Sequence, residues 1–149
     1  MNNCKKRVLI IEDDDEMRSL LEEFTEEAGF EADSAANGFE AFRKIENTTF
    51  DLIISDIRMP GLTGFDILPR MRKLLPEAYI ILITSFGSEE VHRKSIERGA
   101  NAYLEKPIRF DRLRALMDEV ISSKRKDEEE ATKQERRTLS CVKQNSSHC

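Results

Sequence analysis

Cysteine is scarce and poorly placed for chemistry. Cys4, Cys141 and Cys149 are few, odd in number, close to the ends, and carry no metal-ligand spacing. That argues against a disulfide framework or a thiolate metal centre, and fits reduced thiols in the cytosol. Long hydrophobic runs are missing as well. The longest extend over about five residues, far short of the ~20 that span a bilayer, and no signal-peptide h-region precedes the first apolar run. A cytoplasmic protein with no membrane association is the expectation. Histidine is reduced to His92 and His148, neither in a catalytic pattern. No G-x-G-x-x-G or G-x-x-x-x-G-K-[ST] occurs, so the usual nucleotide cradles are absent, and Gly61-Leu62-Thr63-Gly64 is too short for either. The formal charge of −5 argues against direct nucleic-acid binding.

What is present is a strict alternation of two patterns. The chain has 149 residues, 39% hydrophobic and 36% charged, enough for one domain with a sizeable core and a very polar exterior. Strands are expected at Arg7–Ile11, Phe30–Ala35, Asp51–Ser55, Tyr79–Thr84 and Ala102–Glu105. Several are apolar without alternation, as buried parallel strands are. Helices are expected at Asp15–Ala28, Phe39–Asn47, Phe65–Leu75, Glu89–Arg98 and Asp111–Ser123. Their inward residues recur at helical spacing: Met17, Leu20, Leu21 and Phe24 in the first, Ala41, Phe42 and Ile45 in the second, and Leu113, Leu116, Met117, Val120 and Ile121 in the fifth. Gly29 and Gly99 serve as helix stops, and Asp111 or a residue just before it as an N-cap. Five βα units predict an α/β fold: a doubly wound, five-stranded parallel sheet with helices on both faces.

Three segments follow from this pattern: a short extension over residues 1–6, a domain over 7–123, and a charged tail over 124–149. The tail holds seven Lys/Arg against five Asp/Glu, a net of +2 that leaves −7 for residues 1–123. With Leu139 and Val142 as its only large aliphatic residues, it cannot fold alone. Its first half could continue the fifth helix, with Glu129/Lys133 as an i,i+4 ion pair.

The chemistry lies where strands hand over to loops. Glu12 and Asp13 follow the first strand, Asp56 the third, Thr84 closes the fourth, and Lys106 follows the fifth. Ligands of open parallel sheets bind outside these carboxyl ends. Three carboxylates, a hydroxyl and an ammonium there point to a divalent cation and a phosphoryl group, with one carboxylate as nucleophile. Mg²⁺ prefers such oxygen ligands; Asp13 would bind it directly and Glu12 through water. Each residue also has an ordinary reading: helix cap, turn residue, strand end, surface lysine. Asp14 and Asp15 suit a helix N-cap better than Asp13 does. Asp13-x-Asp15 is also similar to the motif of haloacid-dehalogenase-type phosphatases, with Asp13 as nucleophile and Asp15 as acid/base, although Met17 stands where Thr or Val is usual.

The stretches Val8-Leu9-Ile10-Ile11-Glu12-Asp13-Asp14, Ile54-Ser55-Asp56-Ile57-Arg58-Met59-Pro60-Gly61, Thr84-Ser85, Gly99-Ala100-Asn101-Ala102-Tyr103-Leu104 and Lys106-Pro107 resemble the receiver domains of bacterial two-component response regulators. The resemblance covers residues 7–123 and implies a flavodoxin-like strand order, 2-1-3-4-5. It implies that Asp56 accepts a phosphoryl group from a sensor histidine kinase or phosphotransfer protein, and that Glu12, Asp13, Asp56 and the backbone carbonyl of Arg58 hold Mg²⁺. Lys106 would pair with the phosphoryl oxygens, preceding a cis bond to Pro107. Thr84 would bind the phosphoryl group after transfer, and Tyr103 would change rotamer. Glu12 stands where the family more often has Asp. The chain would be a signalling acceptor that assists its own phosphorylation and dephosphorylation. It would dock a downstream protein through the fourth helix, fifth strand and fifth helix, where Arg93, Lys94, Arg98, Arg109, Arg112 and Arg114 suggest an acidic partner. Weak homodimerisation is open to it. A stand-alone receiver is favoured over a fragment of a larger regulator.

Overall fold

The computed structural model describes residues 5–56, 64–85 and 89–122. The expected loop carbonyl of Arg58 and the tail at 124–149 lie outside them. In chain order the elements are β1 (Arg7–Ile11), α1 (Asp15–Glu27), β2 (Glu31–Ala35), α2 (Gly38–Asn47), β3 (Leu52–Asp56), α3 (Gly64–Leu74), β4 (Tyr79–Thr84), α4 (Glu89–Glu97) and β5 (Ala102–Glu105). Residues 110–122 form a further helix, α5. The sheet is parallel throughout, in the order β2-β1-β3-β4-β5.

Local chemistry starts and stops these helices. Asp14 caps α1 by accepting from the Met17 backbone N–H at 3.2 Å. Asn37 caps α2 through Glu40 N–H at 2.9 Å, while the Glu40 carboxylate accepts from Ala36 N–H at 3.2 Å, a reciprocal arrangement that satisfies two orphan donors. Beyond α1 and α4, Gly29 and Gly99 take positive φ values of 101° and 116°, which favour glycine.

Strand alternation sends side chains to two layers. Leu9, Ile11, Ile53, Ile80 and Leu82 join Ala41, Phe42, Ile45, Ile67, Leu68 and Met71 of α2 and α3 in one core cluster. Val8 and Ile10 alternate to the opposite face and are fully buried. Helix α1 packs on β1 and β2, and Phe24 stacks on Phe110 with ring centroids 4.9 Å apart.

Two expectations are corrected and a third is narrowed. Asp56 is the last residue of β3, paired with Ile83, rather than the first of a loop. The fifth helix starts at residue 110, so Asp111 lies in its first turn and the cap falls to a residue before it, the second of the two positions expected. Leu20 is 45% exposed; the buried stripe of α1 runs instead through Leu21 and Thr25. They lie one turn apart, and the Thr25 hydroxyl donates to Leu21 O at 2.8 Å, which makes a buried threonine tolerable. The chain divides into two units, residues 1–114 and 115–149. Within the described part of the second, Met117 and Val120 are buried.

Candidate functional site

A parallel sheet puts all strand C-termini on one edge, so β1, β3, β4 and β5 deliver their end residues to the same place. Glu12 leaves β1 with its N–H on Ala35 O at 3.0 Å. Its carbonyl accepts from Arg18 Nη1 at 2.9 Å, which fixes the turn into α1. On the far side, Lys106 N–H donates to Thr84 O at 2.8 Å, tying the end of β5 to the end of β4. The Lys106-Pro107 bond is cis, as expected.

The Lys106 ammonium lies 2.9 Å from Glu12 Oε1 and 2.9 Å from Asp56 Oδ2. Glu12 is 2% exposed and Asp56 7%. One carboxylate oxygen from each of Glu12, Asp13 and Asp56 fits within a 4.8 Å span, with Asp13 on the exposed side. Burial pushes the Glu12 carboxyl up from 4.5 to about 7; the Lys106 hydrogen bond opposes the shift and the charge of Asp56 adds to it. Burial alone would lower the Lys106 ammonium, but its hydrogen bonds to Asp56 and Glu12 outweigh that and raise it. Two buried carboxyl groups thus share the Lys106 ammonium. Thr84 is buried at the end of β4. Asp15 points elsewhere: its side chain is 87% exposed and pairs with Arg18.

Tyr103 lies opposite Leu82 in the β4–β5 ladder and packs against the core cluster. Its ring stacks on His92, and its buried hydroxyl has no hydrogen-bond partner among the described residues. Neither feature was anticipated; a histidine on a helix and a tyrosine on a strand 11 positions later carry no shared sequence pattern. The expected basic face is partly neutralised. Arg93 pairs with Glu97, Lys94 with Glu90 and Arg109 with Asp111.

Residues 8–118 match the model of the response regulator receiver domain. The chain belongs to the response regulator receiver family. A chemotaxis protein, CheY of Halobacterium salinarum, is 34% identical to this receiver over 118 residues, 79% of this chain and 98% of that protein. The transcriptional regulatory protein ZraR of Klebsiella oxytoca is 28% identical over 125 residues, 84% of this chain but 28% of that protein. Among solved structures, a CheY-like receiver domain protein of Methanospirillum hungatei superposes with a TM-score of 0.75 at 32% identity, covering 82% of this chain and 98% of the other. Both the strand order and the family expected for the receiver are therefore met. No helix among its described residues is long and apolar enough to cross a membrane.

Proposed function

We propose that this receiver accepts a phosphoryl group on Asp56 from a histidine kinase or phosphotransfer protein in the cytoplasm, and passes the signal by reshaping its docking face. The observation that carries the reading is the Lys106 ammonium placed 2.9 Å from both Asp56 and Glu12, beside a three-carboxylate cluster. That donor set fits Mg²⁺: it is made of hard oxygen ligands, and burial disfavours the charged Glu12 carboxylate, which a bound cation would offset. Glu12, Asp13 and Asp56 would hold the ion, with the Arg58 carbonyl. When bound, it supplies positive charge to phosphoryl oxygens on which charge builds during transfer.

The chain's own residues do the rest. An Asp56 carboxylate oxygen forms the new bond to phosphorus as the bond to the donor imidazole breaks, and that electron pair stays on the imidazole nitrogen. Lys106, which counters both acids at rest, stays with the phosphoryl oxygens. Thr84, at the end of the neighbouring strand, donates its hydroxyl to the phosphoryl group after transfer. Tyr103 then turns, and the face built by α4 and β5 changes for a downstream protein. The receiver unit is taken as residues 7–123 and the tail as 124–149.

The test is phosphorylation of Asp56→Asn by a small phosphodonor such as acetyl phosphate with Mg²⁺. Wild type should take up one acid-stable, base-labile phosphoryl group and the variant none. Equal incorporation would remove Asp56 from the mechanism, and mapping of the label to Asp13 would favour the phosphatase chemistry instead.

A further inference from the structure

We propose that His92 is a positioning residue for Tyr103: by stacking on the phenol ring it holds that ring in its present place and sets how readily the ring turns. The consequence for signalling rests on the reading of Tyr103 as a switch given above.

The ring centroids are 5.0 Å apart and the planes 11° from parallel. His92 comes from α4 and Tyr103 from β5, two elements packed on one another. Apart from that stack, the Tyr103 ring packs, like its helix neighbour Val91, against the core cluster. Its hydroxyl finds no partner among the described residues although it is buried. A buried donor without an acceptor works against the position that buries it. Among the described residues the ring is therefore held by packing, and His92, itself exposed, supplies its stacked face. There is also room to leave: a groove of about 400 Å³ lies alongside, lined by His92, Tyr103, Lys106, Pro107, Arg109 and Arg112. With an orphaned hydroxyl on one side of the balance and open space nearby, loss of a single stacking partner is enough to change the populations.

Aromatic stacks shift such equilibria by a factor of roughly two to ten. The measurement is the rotamer of Tyr103 by NMR, from the three-bond couplings of its Cγ to the backbone N and C′, in the unphosphorylated protein. Wild type should show one dominant χ1 rotamer. His92→Ala should show averaging, with the second rotamer enriched by roughly two- to tenfold. His92→Phe, which keeps a flat ring and drops the imidazole polarity, should return the couplings to the wild-type values. Couplings in His92→Ala equal to wild type overturn the proposal, and so does a His92→Phe protein that behaves like His92→Ala. Because His92 is exposed on α4, both variants should fold, and their urea unfolding verifies it. A second arm adds Mg²⁺ and beryllofluoride as a phosphoryl mimic. A wild-type protein in which the Asp56 amide fails to respond would count against the phosphoacceptor reading, while the free-state comparison of His92 would stand by itself.

Discussion

Lys106 and Glu12, 94 positions apart in the chain, meet at 2.9 Å with the Glu12 carboxylate almost wholly removed from water. The same ammonium reaches Asp56. Taking one partner away from a buried pair leaves an uncompensated charge, which costs about 3–5 kcal/mol. Here two acids would lose that partner, although Glu12 can take up a proton. Lys106→Met should therefore lose about 3 kcal/mol at pH 8 and at least 1 kcal/mol less at pH 5.5, where Glu12 is protonated. Urea unfolding at the two pH values measures this. An equal loss at both would mean that Lys106 contributes packing rather than charge.

Strands β1, β3 and β4 were legible because buried parallel strands are short apolar runs, while β2 showed only as Ala32 and Ser34 alternating with charged residues. The helices were legible because Asp14, Gly29 and Gly99 punctuate them in the expected way, whereas the Asn37 cap starts α2 one residue earlier than its apolar spacing suggested. The order of the strands was not readable from residues; it came with the family resemblance. That Glu12, Asp13, Asp56 and Lys106 come together was legible because each lies at or just past a strand's carboxyl end, a position that any βα alternation reveals; Thr84 closes β4 as expected. What escaped was pairing across the chain. Nothing local says that Lys106 would divide itself between two acids, that His92 would lie flat on Tyr103, or that Arg72 would reach the end of another helix. Leu20 misled because a helix stripe defined by spacing alone is wider than the strip the sheet covers, and Thr25 took the buried place.

The raised Glu12 carboxyl makes stability depend on pH in a defined direction. Its folded value of about 7 exceeds its ordinary 4.5, so the folded protein binds the proton more tightly. The resulting destabilisation is absent below about 4.5, grows between there and 7, and is complete above 7. At 1.36 kcal/mol per unit it amounts to about 3 kcal/mol. Glu12→Gln keeps an acceptor for Lys106 and removes the titration. Without Mg²⁺, the stability of Glu12→Gln relative to wild type should rise by up to about 3 kcal/mol from pH 5 to pH 8. With saturating Mg²⁺ the gap at pH 8 should close, since a cation replaces the missing positive charge. A difference between the two proteins that stays flat over this range without Mg²⁺ would show that burial does not hold the Glu12 proton.

Asp13 tests the metal reading from another side. It contributes one of the three clustered oxygens yet sits on the exposed side. Asp13→Ala should leave metal-free stability unchanged or slightly higher, because it removes a like charge. Mg²⁺ at tenfold over its Kd stabilises wild type by about 1.4 kcal/mol, and should do much less for the variant. Paired thermal melts with and without Mg²⁺ provide the comparison. Equal stabilisation of both proteins would take Asp13 out of the ligand set.

At the opposite edge of the sheet, Arg72 on α3 makes a clamp that has no part in the chemistry. Its guanidinium donates to Ala78 O at 2.6 Å, to Gly99 O at 2.6 and 3.1 Å, and to Asn101 Oδ1 at 2.5 Å. Asn101 Oδ1 also accepts from Ile80 N–H at 2.9 Å. One side chain thus joins the loop before β4, the stop of α4 and the entry to β5. Burial holds the guanidinium below its ordinary value, with Glu77 opposing, but it stays charged at any working pH. Hydrogen bonds to a charged group contribute about 1.5–3 kcal/mol, and the carbonyls left behind are partly buried. Arg72→Ala should cost about 3 kcal/mol in urea unfolding. Arg72→Lys should recover less than half, because a single ammonium cannot span the acceptors that a planar fork reaches. Both variants should bind Mg²⁺ with wild-type affinity, since the clamp lies at the strand N-termini and the acids at the C-termini. A stability loss under 1 kcal/mol for Arg72→Ala would show that the clamp is replaceable by water. A tenfold change in Mg²⁺ affinity would instead show that the two edges of the sheet are coupled.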